Sequence, residues 1–63
     1  MTKIETVIGM VTNSTDKALQ IVINDKKEWY PRSAVELVKG NISIGEICIF
    51  DIETWILEQK GVI

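Results

Sequence analysis

Few residues in this sequence could perform covalent chemistry. Cys48 is the only cysteine, and the chain contains no histidine. A cysteine or serine nucleophile is normally activated by a neighbouring base, most often histidine, and that arrangement cannot form here. Cys48 lies between two isoleucines, which favours a small buried residue over a reactive thiol. A single cysteine also excludes an intramolecular disulfide, and the usual cysteine and histidine ligands of zinc are missing.

Asp51 and Glu53 are carboxylates that could in principle transfer protons. They stand just before an apolar, helix-like segment, and this position favours a role in capping and solvating a helix start. The four glycines are far apart, so the sequence has no glycine-rich phosphate loop. We therefore predict a protein that is not an enzyme and that uses neither a cofactor nor a metal ion.

The residues best suited to binding lie in the segment KKEWYPRS, at positions 26–33. Trp29 and Tyr30 are adjacent in a predicted strand, so their side chains must point to opposite faces. We expect Trp29 to lie inward or half-buried and Tyr30 to point outward. An exposed ring flanked by cations could stack on a nucleobase while the cations hold phosphates, which is worth about 1–3 kcal/mol per base. The predicted nucleic-acid-binding residues are Lys26, Lys27, Trp29, Tyr30, Arg32 and Ser33.

A purely structural role would explain the same residues. Tyr30 could pack against the stem of Lys17. Arg32 could pair with Glu28 or Glu36. Aromatic side chains serve packing more often than recognition, so this interpretation has the greater weight for any one of them.

Length and composition limit the classes of protein to consider. At 63 residues the chain is one small domain, which buries only about 60% of its unfolded surface. The net charge of −2 and the pI near 4.9 weigh against a general coat for duplex DNA. The N-terminus lacks the pattern of a signal peptide, and no apolar run approaches the ~20 residues of a membrane span. We expect a soluble, cytoplasmic protein.

Apolar periodicity predicts short strands for most of the chain. Leu19, Ile21 and Ile23 share one face of an alternating strand. Gly9 interrupts the first strand, as at a bulge or sharp bend. Proline at position 31 ends the third strand. The predicted strands are 4–12, 18–23, 28–30, 35–39 and 45–52, with connections at 13–16 and 24–27.

Two segments suggest helical structure. Ser33 and Glu36 fit a capping pattern, so one helical turn could precede or replace the strand at 35–39. The period changes at 51–61, which predicts a short terminal helix or 3₁₀ turn with Asp51 as N-cap and Gly61 at its end. The spacing of Trp55 with its apolar neighbours places Trp55 in the core. We predict a mainly β domain covering 1–63: a small SH3-like or OB-like barrel of about five strands, with this helical segment plugging one end.

Two segments also carry a resemblance. EWYPRSAVEL resembles the Trp-aliphatic-Pro-Lys/Arg-Ser segment of a group of small β domains from phages, plasmids and bacteria. IETWILEQKGVI is similar to the Trp-x-x-x-x-Lys-Gly-aliphatic ending of that group. Tyr30 departs from the pattern, because an aliphatic residue is usual there, and Lys26 stands where glycine is expected. The resemblance implies a small β-barrel, in some members linked to DNA metabolism.

These observations lead to two functional hypotheses. The first is a single-stranded nucleic-acid-binding accessory protein of mobile-element type, which binds DNA or RNA through the segment 26–33. The second is a protein-interaction adapter or self-associating subunit that uses the edges of the barrel, because unpaired strand edges invite pairing with another chain.

Overall fold

The structure, a computed structural model, describes residues 3–63. It contains five antiparallel strands in one sheet and one short helix. The elements in chain order are β1 (Ile4–Ser14), β2 (Ala18–Ile23), β3 (Lys26–Pro31), a 3₁₀ turn (Arg32–Ala34), β4 (Val35–Lys39), β5 (Ile47–Glu53) and α1 (Thr54–Gln59). The strand order in the sheet is β3-β2-β1-β5-β4, which confirms a mainly β domain of five strands.

The sheet is open between β3 and β4. In the described residues β3 pairs with β2 alone, and β4 pairs with β5 alone. The 3₁₀ turn connects these two edge strands directly. The predicted closure into an SH3-like or OB-like barrel is therefore not confirmed.

Strand β1 is long because it serves two neighbours in turn. Its first part pairs with β5 from Ile4 to Met10, and its second part pairs with β2 from Met10 to Ser14. The register shifts between Val11 and Asn13, which marks a bulge just after the change of partner. The irregularity was predicted at Gly9, but Gly9 pairs regularly with Cys48, and the bulge lies between Val11 and Asn13.

Gly9 has a packing role in β1, where it leaves room for a side chain of the neighbouring strand β2. A Cβ atom at this position would lie 2.5 Å from Ile21 Cγ2 and 3.2 Å from the carbonyl oxygen of Val22. The first distance is too short for a contact between carbon atoms, and the second is tighter than most, so Ile21 of the neighbouring strand packs into space that a side chain at this position would occupy.

The β2–β3 hairpin turns in two residues, fewer than the four predicted. Ile23 pairs with Lys26, and Asn24 and Asp25 between them have φ of 52° and 63°. Two positive φ values are typical of a type I′ turn, for which asparagine and aspartate are well suited. The β1–β2 connection also moves relative to the prediction, because β1 continues to Ser14 and the turn begins at Thr15.

The core lies on one face of the sheet, where Ile56 and Leu57 of α1 pack against it. The three alternating apolar residues of β2 are buried as predicted, and Cys48 is buried as well. The buried core residues are Val11, Leu19, Ile21, Ile23, Tyr30, Cys48, Phe50, Ile52, Ile56, Leu57 and Val62.

The terminal helix differs from its prediction at its start and in its buried face. Asp51 is not an N-cap: it lies in β5 opposite Thr6, whose hydroxyl donates to its carboxylate at 2.6 Å. Trp55 is 54% exposed, so its predicted place in the core is wrong. Ile56 and Leu57 are the buried residues of α1, because a helix of six residues can turn only a narrow face toward the sheet.

Gly61 terminates the helix as predicted, two residues after the last helical residue, Gln59. Gly61 has φ of 72°. Its amide donates to the carbonyl of Glu58, and the amide of Val62 donates to that of Leu57. These two bonds form a Schellman motif, which leaves Val62 buried against the core.

Candidate interaction surface

The two adjacent aromatics of β3 face opposite ways, in the reverse of the expected orientation. Tyr30 is fully buried, whereas Trp29 is 40% exposed. Tyr30 pairs with Leu19, and Trp29 pairs with Gln20. Since Leu19 points into the core, its neighbour across the strands does so too. Tyr30 therefore has no ring surface to offer a base, and the binding role predicted for its side chain has no geometric support.

Tyr30 lies instead in the hydrophobic core, near the end of α1. Its hydroxyl is buried without a hydrogen-bond partner in the described residues. Burial raises the pKa of this hydroxyl above its ordinary value, and the negative charge of Glu28 acts in the same direction. The Nζ of Lys60 lies 5.4 Å from the centroid of the ring. These contacts make Tyr30 a core residue.

The two lysines of the predicted site also separate. Lys27 lies on the same outward face of β3 as Trp29, two residues along the strand. Lys26 points the other way, and its Nζ lies where a side chain at Gly61 would begin. Only Lys27 accompanies the exposed indole.

Arg32 is engaged by the β1–β2 connection. Its Nε donates to the carbonyl oxygen of Thr15 at 2.9 Å, and its Nη2 donates to the hydroxyl of Ser14 at 2.7 Å. The pairing proposed with Glu28 or Glu36 is thus replaced by hydrogen bonds to a turn.

Ser33 belongs to the 3₁₀ turn, whose N-cap is Pro31 and which has no side-chain cap hydrogen bond. The capping pattern of Ser33 and Glu36 therefore does not form. Ser33 lines a groove of about 300 Å³ between this turn and α1, together with Pro31 and Trp55. The indole of Trp55 donates to the carboxylate of Glu53 at the same place. The six predicted residues do not converge on one site.

The outward face of the sheet, opposite the core, carries an apolar patch that the sequence reasoning missed. Five outward side chains of β1, β2 and β5 form it: Ile8, Met10, Val22, Ile47 and Ile49. Ile8 lies opposite Ile49, and Met10 lies between Val22 and Ile47. Ile8 and Ile47 are each 66% exposed. The pattern that indicates this patch is the apolar content of both alternating faces of β1 and β5, which an ordinary half-buried strand lacks.

Charged side chains surround the apolar patch on three sides. Lys27 on β3 stands in the row of Met10 and Val22, and Lys39 on β4 pairs with Ile49. Asp51 and Glu36 pair with each other in the row of Thr6. The patch therefore has a basic edge on β3, an acidic corner where β4 meets β5, and a second lysine, Lys39, on β4 beside that corner.

The two open strand edges are poor templates for pairing. β3 carries Lys26, Lys27 and Pro31, and proline and lysine at an edge oppose the addition of another strand. β4 is five residues long, with a register shift between Leu37 and Lys39. Short, bulged edges serve the same purpose.

Comparison of this chain with protein-family models, with curated proteins and with solved structures gives no match. In residues 3–63 no group of three or more potential metal-ligating side chains is clustered. The described part of the chain also lacks any helix with the length and apolar character of a membrane span.

Proposed function

We propose that the protein is a non-enzymatic protein-interaction module whose binding surface is the apolar patch. The observation that carries this proposal is the exposure of Ile8 and Ile47, 66% each, at the centre of one sheet face. Contiguous apolar patches with a polar rim are characteristic of protein-binding surfaces. The half-exposed Trp29 lies next to this patch on β3, and tryptophan is enriched among residues that dominate binding energy.

The proposed surface is a sheet face, and it replaces the strand edges of the original adapter hypothesis. The lysines and proline of β3 and the bulge of β4 disfavour strand addition. The outward face carries no such lysine, proline or bulge where Met10 pairs with Ile47.

Site-specific photo-crosslinking tests this function. A benzophenone amino acid at Ile47 is expected to give covalent protein adducts in cells that produce the protein. The same group at Glu58, which is exposed on α1, is the matched control and is expected to give none. Equal labelling from both positions, or no adduct from Ile47, would contradict a binding surface on this face.

Binding of single-stranded nucleic acid is a second candidate, because Lys27 and Trp29 share the outward face of β3. This candidate uses only two of the six predicted residues: the indole of Trp29 stacks on a base, and the ammonium of Lys27 contacts a phosphate. Quenching of tryptophan fluorescence by oligothymidylate should then weaken as salt rises. Trp29→Ala should abolish the quenching, and Trp55→Ala should preserve it; the opposite pattern would remove β3 from the site. An accessory role in a mobile element remains part of this candidate.

We further propose that the fold is an open relative of small barrels. Followed from β1 through β2 and β3 to β4 and β5, the strands are spatial neighbours at every step except β3 to β4. One missing ladder, with the 3₁₀ turn at the gap, separates this sheet from a closed five-stranded barrel.

A further inference from the structure

We infer that the apolar patch binds a second copy of this chain, in a two-fold symmetric dimer in which the two outward sheet faces pack together. This inference rests on the proposed function, since it names the partner of the same surface. It is carried by the arrangement of charges around the patch, which is self-complementary.

Two sets of opposite charge lie at diagonally opposite corners of the face, and Lys39, on β4 in the row of Ile8, lies outside both corners. Lys27 is in the row of Met10, two strands from β1 on one side. Asp51 and Glu36 are in the row of Thr6, one and two strands from β1 on the other side. Ile8 and its neighbours occupy the centre between these corners.

A two-fold axis that lies between the two faces and runs perpendicular to the line joining these corners brings each corner onto the opposite corner of the partner copy. Lys27 of each chain then faces the acidic pair of the other, and this contact occurs twice because the interface is isologous. The same rotation places apolar centre on apolar centre. A face with charges of one sign would be repelled by its own copy, so the pattern favours self-association over a purely acidic or basic partner.

The surrounding surface supports the same occupant. A chain of 63 residues buries a smaller share of its surface than a larger domain does, and small domains gain stability by oligomerising. The edges of β3 and β4 disfavour the addition of another strand. Association through the outward face therefore gives a closed dimer and not an open-ended series of paired strands.

Sedimentation equilibrium of the purified protein, from about 10 µM to 1 mM, tests the inference in the concentration range of small, weak interfaces. The weight-average mass is expected to rise with concentration from 7.1 kDa toward twice that value. Ile8→Asp places a charge at the centre of the patch and is expected to keep the protein monomeric throughout. A wild-type protein that stays monomeric at 1 mM, or an Ile8→Asp protein that still dimerises, would overturn the inference.

A charge exchange tests the proposed symmetry. Lys27→Glu and Glu36→Lys are each expected to weaken dimerisation about tenfold, and the double variant should restore it, because its net charge equals that of the wild type. Lys17→Glu, on the β1–β2 turn away from the patch, is the control for net charge and should leave dimerisation unchanged. Failure of the double variant to recover would overturn the diagonal arrangement.

The crosslinking experiment separates this inference from the proposed function. Adducts from Ile47 with twice the mass of the chain support the second copy. Adducts with another protein alone, together with a monomeric purified protein, would overturn the second copy and preserve the interaction module. No adduct at all would overturn both.

Discussion

The ammonium of Lys60 lies over the ring of Tyr30, with its Nζ 5.4 Å from the ring centroid. Lys60 is the residue that follows α1, so the contact fixes the end of the helix above the one tyrosine of the chain. A cation over an aromatic face contributes about 0.5–1 kcal/mol when partly exposed. The contact offsets only part of the cost of Tyr30, whose buried hydroxyl has no partner in the described residues.

Replacing Tyr30 by phenylalanine is therefore expected to stabilise the protein by about 1 kcal/mol, because it removes a buried, unsatisfied hydroxyl and keeps the ring. The measurement is the free energy of unfolding in urea at pH 7. Tyr30→Leu is the control, since it removes the ring as well, and it should destabilise the protein by about 1–3 kcal/mol. A Tyr30→Phe protein less stable than the wild type would show that the hydroxyl has a partner.

The same hydroxyl predicts how stability changes at alkaline pH. Burial raises the pKa of Tyr30 in the folded protein, whereas in the unfolded chain the pKa is about 10. The free energy of unfolding therefore keeps its full value with respect to this group below pH ~10. It falls as the pH rises from there through the folded-state pKa, because the hydroxyl ionises more readily in the unfolded chain. Ultraviolet titration at 295 nm reports Tyr30 alone, as it is the only tyrosine. Ionisation at or below pH 10 in the folded state would contradict its burial.

Substitutions in α1 should separate its exposed residue from its buried one. Trp55→Ala is expected to destabilise the protein by less than about 1 kcal/mol, because the side chain is largely in solvent. Leu57→Ala leaves a cavity in the core and should cost about 2–5 kcal/mol, which could unfold so small a domain. Thermal unfolding followed by circular dichroism gives both values. Equal losses for the two variants would place Trp55 back in the core.

The orientation of Trp29 and Tyr30 was predictable from the sequence. Leu19, Ile21 and Ile23 define the inward face of β2, and a hairpin loop of either two or four residues pairs Tyr30 with an inward residue of that strand. Side chains paired across two strands lie on the same face. The expected orientation rested on the polarity of neighbouring residues and ignored this parity, so it was wrong.

Other features depend on contacts that no local pattern contains. Gly9 was expected to bend β1, but its need for space comes from Ile21 on another strand. Asp51 has the composition of an N-cap and lies in a strand because β1 pairs with β5 as far as Glu53. Trp55 has helical spacing from Ile52, yet Ile52 still belongs to β5, so the two never share a helix face. Strand β2, with one apolar and one mixed face, was predicted correctly from its alternation.

Gly9→Ala should test the close packing of Ile21 on β2 against Gly9 on β1. The added methyl group would meet Ile21 Cγ2 at 2.5 Å and the backbone of Val22 at 3.2 Å, and neither can move freely within the core. Overpacking of this kind costs about 1–3 kcal/mol. Denaturant unfolding of Gly9→Ala measures it, with Thr6→Ser on the exposed face of the same strand as control, because serine keeps the hydroxyl that donates to Asp51. If Gly9→Ala were as stable as the wild type, Ile21 and Val22 would have room to accommodate a methyl group at this position.

Arg32 provides the last prediction, because its hydrogen bonds to Thr15 and Ser14 join the 3₁₀ turn to the β1–β2 turn. The backbone amide of Arg32 also donates to the carbonyl of Lys17 at 2.8 Å, and this bond survives any side-chain change. Arg32→Ala is therefore expected to cost about 0.5–1.5 kcal/mol and to speed hydrogen exchange at residues 14–17.

Arg32→Lys separates charge from geometry at this position. Lysine keeps the positive charge but cannot supply the fork of donors that reaches two acceptors at once, so it should behave nearly as alanine does. Full recovery of stability by lysine would contradict a tether between the two turns, because it would show that the two hydrogen bonds to Thr15 and Ser14 contribute nothing beyond the charge. In that case Arg32 would return to the candidate nucleic-acid surface beside Lys27 and Trp29.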